Sequence, residues 1–143
     1  MMMSSEGLTV TYYHGMSFKR PIARLVEKQV TASYGDSMFS LSQCRFSSRW
    51  QGTLVAPVTA NYSFYCQSDG GVRMTIDGSL VLNNWRNVSW KASGTHGEKM
   101  LDAGEHKIVI EYFKEKGHGG LRLRWAGGPI PDNTALGIPY LRR

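Results

Sequence analysis

The strongest constraint on this chain is a period-two alternation of apolar and polar residues that begins at Phe46. Between Asn61 and Gln67, Tyr62, Phe64 and Cys66 alternate with Ser63, Tyr65 and Gln67. Val72, Met74 and Ile76 alternate with Arg73, Thr75 and Asp77, and Ile108, Ile110 and Tyr112 with Lys107, Val109 and Glu111. Leu121, Leu123 and Trp125 alternate in the same way with Arg122, Arg124 and Ala126. Successive side chains of a strand point to opposite faces, so each stretch predicts an antiparallel strand with one dry and one wetter face. Turn signals separate them at Ala60-Asn61, Ser68-Asp69-Gly70-Gly71, Asp77-Gly78-Ser79, Ala103-Gly104-Glu105 and Lys116-Gly117-His118-Gly119-Gly120. One sheet of this size would leave its apolar face wet, so two sheets must pack face to face. The expected fold is an all-β antiparallel β-sandwich with little or no helix, a single domain over residues 1–143. Only Pro21 to Val30 carries a helical pattern, with Ile22, Leu25, Val26 and Gln29 on one face, and its β-branched residues leave an extended reading equally open.

Composition bounds the rest. With 143 residues, 41% of them hydrophobic, the chain holds one sizeable core and is not a disordered polymer. Sixteen Gly and five Pro are more than a helical bundle tolerates. No apolar run is long enough to span a bilayer. The net charge of +6 arises from 17 Lys and Arg against 11 Asp and Glu, and the basic residues are scattered. Such a balance permits anionic partners without selecting one, and with no reading element beside it no nucleic acid partner is expected. Met1 to Glu6 lacks the basic start and apolar core of a signal peptide.

Catalysis finds little support. His14, His96, His106 and His118 sit in unrelated segments, and no nucleophile elbow, phosphate loop or dinucleotide fingerprint is present. His106 reads as an exposed polar residue at a strand start. Asp69 and Asp77 bracket one strand, roughly 25 Å apart along it, too far for a two-carboxylate site. Cys44 and Cys66 either form a disulfide closing a loop of about 21 residues, worth on the order of 3 kcal/mol, or Cys66 is a buried thiol on the dry face of its strand. Asp69, at the tip of a glycine-rich turn, either caps its own backbone or helps to ligate a hard cation such as Ca²⁺, which takes six to eight oxygens.

Read in order, several segments resemble a known family. They are Arg49-Trp50-Gln51-Gly52-Thr53-Leu54 through Tyr62-Ser63-Phe64, Ser68-Asp69-Gly70-Gly71-Val72-Arg73-Met74-Thr75-Ile76-Asp77-Gly78, Leu80-Val81-Leu82-Asn83-Asn84-Trp85, Leu101-Asp102-Ala103-Gly104-Glu105-His106, Glu111-Tyr112-Phe113 and Leu121-Arg122-Leu123-Arg124-Trp125. Together they resemble the PA14 domain family, named after the protective antigen of anthrax toxin. The opening Gly7 to Tyr13 and the closing Ile130 to Leu141 look like the family's first strand and tail. The resemblance implies a β-sandwich, usually part of a larger protein and usually extracellular or at a cell surface, as in glycosidases, adhesins and toxins.

In the family's lectin branch, two consecutive aspartates joined by a cis peptide hold Ca²⁺, the ion grips sugar hydroxyls, and an Asn from a later loop completes the site. Asp69 matches the first aspartate, but Gly70 stands where the second would be. The later loop, Lys114 to Gly120, holds no Asn or Asp and offers only Glu115 and backbone carbonyls. The resemblance therefore implies calcium binding at Asp69 that is weak or absent. The candidate ligand-binding residues are Asp69, Gly70, Gly71 and His118, joined by Trp85 and Trp90 as rings on which a sugar could stack. An Asn-Trp pair is also a packing feature of the family, so Trp85 has a core reading too, and Trp50 and Trp125 are read as core. The expected function is a non-catalytic, lectin-like carbohydrate-binding module. The alternative is a protein-interaction module with a degenerate calcium and sugar site, in which the loop face or the basic surface at Arg122 and Arg124 meets a protein.

Overall fold

A computed structural model describes residues 5–34, 45–86, 94–114 and 119–143. The described residues form twelve strands: β1 (Leu8–His14), β2 (Arg20–Glu27), β3 (Thr31–Tyr34), β4 (Phe46–Ala56), β5 (Ala60–Asp69), β6 (Gly71–Ile76), β7 (Ser79–Asn84), β8 (Thr95–Leu101), β9 (Gly104–Lys114), β10 (Gly119–Gly127), β11 (Ile130–Ala135) and β12 (Leu141–Arg142). They make two antiparallel sheets, one ordered β2-β1-β4-β9-β6-β7 with β12 beside β4, the other β11-β10-β5-β8 with β3 beside β10. There is no helix among the described residues, and so none long and apolar enough to cross a membrane.

The alternation seen in the sequence closes the sandwich. Tyr62, Phe64 and Cys66 of β5, and Leu121, Leu123 and Trp125 of β10, face Val72, Met74 and Ile76 of β6 and Ile108, Ile110 and Tyr112 of β9, all of them buried in one core. Burial of each large apolar side chain contributes about 1.5–3 kcal/mol, which is what holds the two sheets together. Trp50 and Trp125 are both core residues, as the sequence predicts. Cys66 lies in the core as a thiol, and burial pushes it up to about 12 despite a backbone hydrogen bond, so it is neither exposed nor ionised at neutral pH. Its possible partner Cys44 lies outside the described residues.

The turns are less uniform than the sequence suggests. Asp77-Gly78 is a tight hairpin turn with φ of 52° and 80°, joining β6 to β7 within one sheet. The turn at Asp69-Gly70-Gly71 is not a hairpin: β5 belongs to the smaller sheet and β6 to the larger, so the chain crosses between layers there. Gly70, at φ 124°, makes that crossing, in a conformation open essentially to glycine alone. Pro21 to Val30 is mostly strand, with Arg20–Glu27 forming β2 at the edge of the larger sheet. Its ambiguous pattern follows from that edge position: Leu25 packs on the core, while Ile22 and Val26 remain 49% and 47% exposed.

Candidate functional site

Three regions concentrate chemistry-bearing side chains. The first is the end of the sandwich at Asp69, shared by the strand ends at Tyr34, Phe46, Lys114 and Gly119. The carboxylate of Asp69 accepts a 2.7 Å hydrogen bond from the Lys114 ammonium, and its backbone carbonyl accepts one from the Tyr112 hydroxyl. Tyr112 in turn accepts from the Gly120 amide at 3.0 Å. Burial holds the Tyr112 hydroxyl far above its usual range, so it stays a proton donor. Ser68 Oγ donates to the Gly70 carbonyl at 2.9 Å.

One carboxylate oxygen of Asp69 and the carbonyls of Asp69 and Gly70 are thus engaged within the protein. A Cβ added at Gly70 would run into the Phe113 carbonyl oxygen, and one at Gly71 into the Phe113 ring, so neither position has room for a second carboxylate. The cation beside Asp69 is Lys114 itself. One carboxylate already paired with an ammonium, beside two carbonyls already hydrogen-bonded, does not fit a Ca²⁺ shell of six to eight oxygens. Among the described residues no group of three or more His, Cys, Asp or Glu is arranged to hold a metal.

The second region is the outer face of the larger sheet. Arg73 of β6, Glu111 of β9 and Arg49 of β4 stand opposite one another in a single cross-strand row. Glu111 accepts from Arg73 Nε at 2.7 Å through one oxygen and from Arg49 Nε at 2.8 Å through the other. Burial works against the charged carboxylate, but the hydrogen bonds and charges of the two guanidiniums together hold Glu111 below its usual range. Aromatic rings close over this row. The Arg73 guanidinium lies 3.8 Å from the Trp85 ring centroid and that of Arg49 lies 4.5 Å from the Phe18 centroid. Phe18 stacks on Trp85 at 6.0 Å, and Phe113 meets Trp85 edge-on at 4.7 Å. Trp85 is therefore a packing residue of this outer cluster, with its ring covered from several sides.

The third region is the outer face of the smaller sheet. His96 of β8, Tyr65 of β5 and Arg124 of β10 form another cross-strand row. They border an open groove of about 180 Å³ together with Ser63, Asp132 and Asn133. Tyr65 is 43% exposed. The Arg124 guanidinium donates to the Asn133 carbonyl at 3.0 Å, which fixes it at the groove wall. Asn133, within β11, has a left-handed φ of 65°. Of these groove residues the sequence singled out only Arg124, as part of a basic surface for a protein partner; Ser63 and Tyr65 read simply as the wet side of an alternating strand. The signal that could have found the groove is the bulky aromatic Tyr65 among the wet-side residues.

Elsewhere, His106 departs from its sequence reading. It is not an exposed residue: its side chain is 12% exposed and bridges two turns, with Nδ1 2.6 Å from Asp77 Oδ2 and Nε2 2.7 Å from the Asp102 carbonyl. Both partners are acceptors, an arrangement that favours the ring with a proton on each nitrogen. Burial opposes that charge, but the bonds to Asp102 and Asp77 outweigh it and raise His106 above its usual value. Of the residues chosen from sequence, Asp69, Gly70 and Gly71 are brought together at one end, while Trp85 lies on the outer face of the larger sheet. Trp90 and His118 lie outside the described residues, as does Glu115.

The model of the PA14 domain matches residues 4–134. The chain is 28% identical to the anti-sigma-I factor RsgI3 of Acetivibrio thermocellus, across 94% of this chain and 24% of that protein. It therefore spans about a quarter of that curated relative. A solved anti-sigma factor domain-containing protein from Clostridium clariflavum superposes with a TM-score of 0.84 at 25% identity, covering 95% of this chain and 46% of that one. A PA14 sugar-binding domain from an RTX adhesin shares the fold, with a TM-score of 0.78 at 16% identity over 98% of this chain and 99% of its own. With nearly its whole length matched and the two-sheet architecture in place, the chain belongs to the PA14 domain family.

Proposed function

We propose that this chain is a non-catalytic module that binds carbohydrate without calcium, as one part of a larger protein. The observation that carries the calcium-free part of this reading is the Lys114–Asp69 pair, in which a tethered ammonium already offsets the charge of the carboxylate at 2.7 Å. The sugar-binding PA14 domain of similar fold supports the ligand class, and the anti-sigma factor relatives support membership of a longer chain. Affinity electrophoresis in gels cast with individual plant and microbial polysaccharides tests it, run once with chelator and once with millimolar Ca²⁺. Retardation by a polysaccharide in chelator, unchanged by calcium, is the expected result. Retardation that appears only with calcium would overturn the calcium-free reading, and none in either condition would overturn carbohydrate binding.

The similarity to anti-sigma factor proteins favours a second reading, a protein-interaction module. The surface suited to it is β2, the edge strand of the larger sheet among the described residues, where Ile22 and Val26 stand open.

A further inference from the structure

Resting on the carbohydrate reading above, we infer that the groove on the outer face of the smaller sheet is the sugar site, and that it takes an uncharged pyranose stacked on Tyr65. The site lies four rungs from the sandwich end at Asp69: Tyr65 stands opposite Arg124, whereas Asp69 stands opposite Gly120. It is thus separate from the position at which the family resemblance would place a ligand.

The groove has what a sugar ring requires. One face of a pyranose is a patch of C–H bonds that packs on an aromatic ring, while its rim of hydroxyls both donates and accepts hydrogen bonds. Tyr65 supplies an exposed ring, and its hydroxyl has no hydrogen-bond partner among the described residues. Arg124 supplies donors beyond the one given to Asn133, Asp132 supplies acceptors, and Ser63, His96 and Asn133 can do either. At about 180 Å³ the space is smaller than cavities that enclose drug-sized ligands, and it is open, so it fits one ring of a longer chain passing across the sheet.

Charge selects among ligand classes. Arg124 and Asp132 both line the groove, so a guanidinium and a carboxylate offset each other there. A phosphate, sulfate or uronate would gain from Arg124 and be repelled by Asp132, whereas a neutral diol bonds to both. The corresponding row of the larger sheet offers no equivalent among the described residues, since Arg49 and Arg73 already share Glu111 and Trp85 packs against Arg73, Phe18 and Phe113.

The test is calorimetric titration in chelator with tetrasaccharides of glucose, xylose, mannose, galactose and galacturonic acid, on the wild type and on Tyr65→Ala, Arg124→Ala, Asp132→Asn and Asp69→Ala. The expected result is binding of at least one neutral tetrasaccharide, weakened about tenfold by Tyr65→Ala and severalfold by Arg124→Ala and Asp132→Asn. Because Tyr65 is exposed, Tyr65→Ala should keep the wild-type urea midpoint, so weaker binding cannot be put down to unfolding. Binding that survives Tyr65→Ala and is lost in Asp69→Ala would overturn the groove and leave the carbohydrate reading standing. Binding of the galacturonic acid probe alone would overturn the uncharged class. No binding by any probe would count against both.

Discussion

The two outer faces of the sandwich carry similar side chains and put them to opposite uses. Each has a cross-strand row containing arginine and an aromatic ring beside it. On the larger sheet, two arginines converge on one carboxylate and the rings of Phe18, Trp85 and Phe113 close over them. On the smaller sheet, Arg124 is fixed by a backbone carbonyl at the rim and Tyr65 stays open. A ring with its faces covered and a guanidinium with its carboxylate in place contribute to stability; the same groups left open are available to a ligand. Residue type does not distinguish the two faces. Partner geometry does.

The comparison can be broken in several ways. The largest expected effect lies at the sandwich end. Restoring the family's aspartate pair with Gly70→Asp should cost about 3 kcal/mol, from left-handed backbone strain and collision with the Phe113 carbonyl. A urea midpoint well below wild type, without saturable Ca²⁺ binding, is the expected outcome; a stable variant that binds Ca²⁺ would show that the site needs only its second carboxylate. Next is Trp85→Ala, which removes the ring held by Arg73, Phe18 and Phe113 and should cost about 2 kcal/mol. It should do so without the affinity loss foreseen for Tyr65→Ala. If Trp85→Ala instead keeps its stability and loses sugar affinity, the roles of the two faces are reversed.

Glu111→Gln is a smaller perturbation, about 1 kcal/mol, because the arginines it leaves facing each other remain partly in water. The same group sets a pH dependence. Its carboxyl is held below the usual value of 4.5, so its contribution is present above that pH and is lost as pH falls through the lower folded value. Acid unfolding of Glu111→Gln should therefore be shallower than that of the wild type. The smallest effect is at His106. Its folded value is raised above 6.5, so its contribution is complete below that pH and disappears as pH rises through the folded value. The wild type should lose some stability as pH rises above 6.5, and His106→Gln should remove that part of the slope.

How much of this was legible beforehand follows from the range of the interactions. The sandwich was readable because burial acts residue by residue: every apolar residue that the four alternating stretches set inward is buried. The identity of the turns was harder. Asp77-Gly78 carries a hairpin's positive φ values in its residue types, whereas nothing local distinguishes a glycine that turns a hairpin from Gly70, which changes sheets. The site was least legible. Asp69 stood out by its resemblance, but its neutralisation by Lys114 is a contact 45 residues away in sequence. Trp85 drew attention as the larger ring, and Tyr65 did not, since whether a ring is covered depends on Phe18, Arg73 and Phe113 arriving from other segments of the chain.

The most direct measurement is a ¹H–¹⁵N NMR titration of the chelator-treated protein with a neutral oligosaccharide, its resonances assigned along β5, β8, β10 and β11. Shifts concentrated at Ser63, Tyr65, His96, Arg124 and Asn133, with Asp69 to Gly71 unmoved and no change on adding calcium, are the predicted result. Shifts centred on Asp69 to Gly71 that appear only when calcium is present would contradict it.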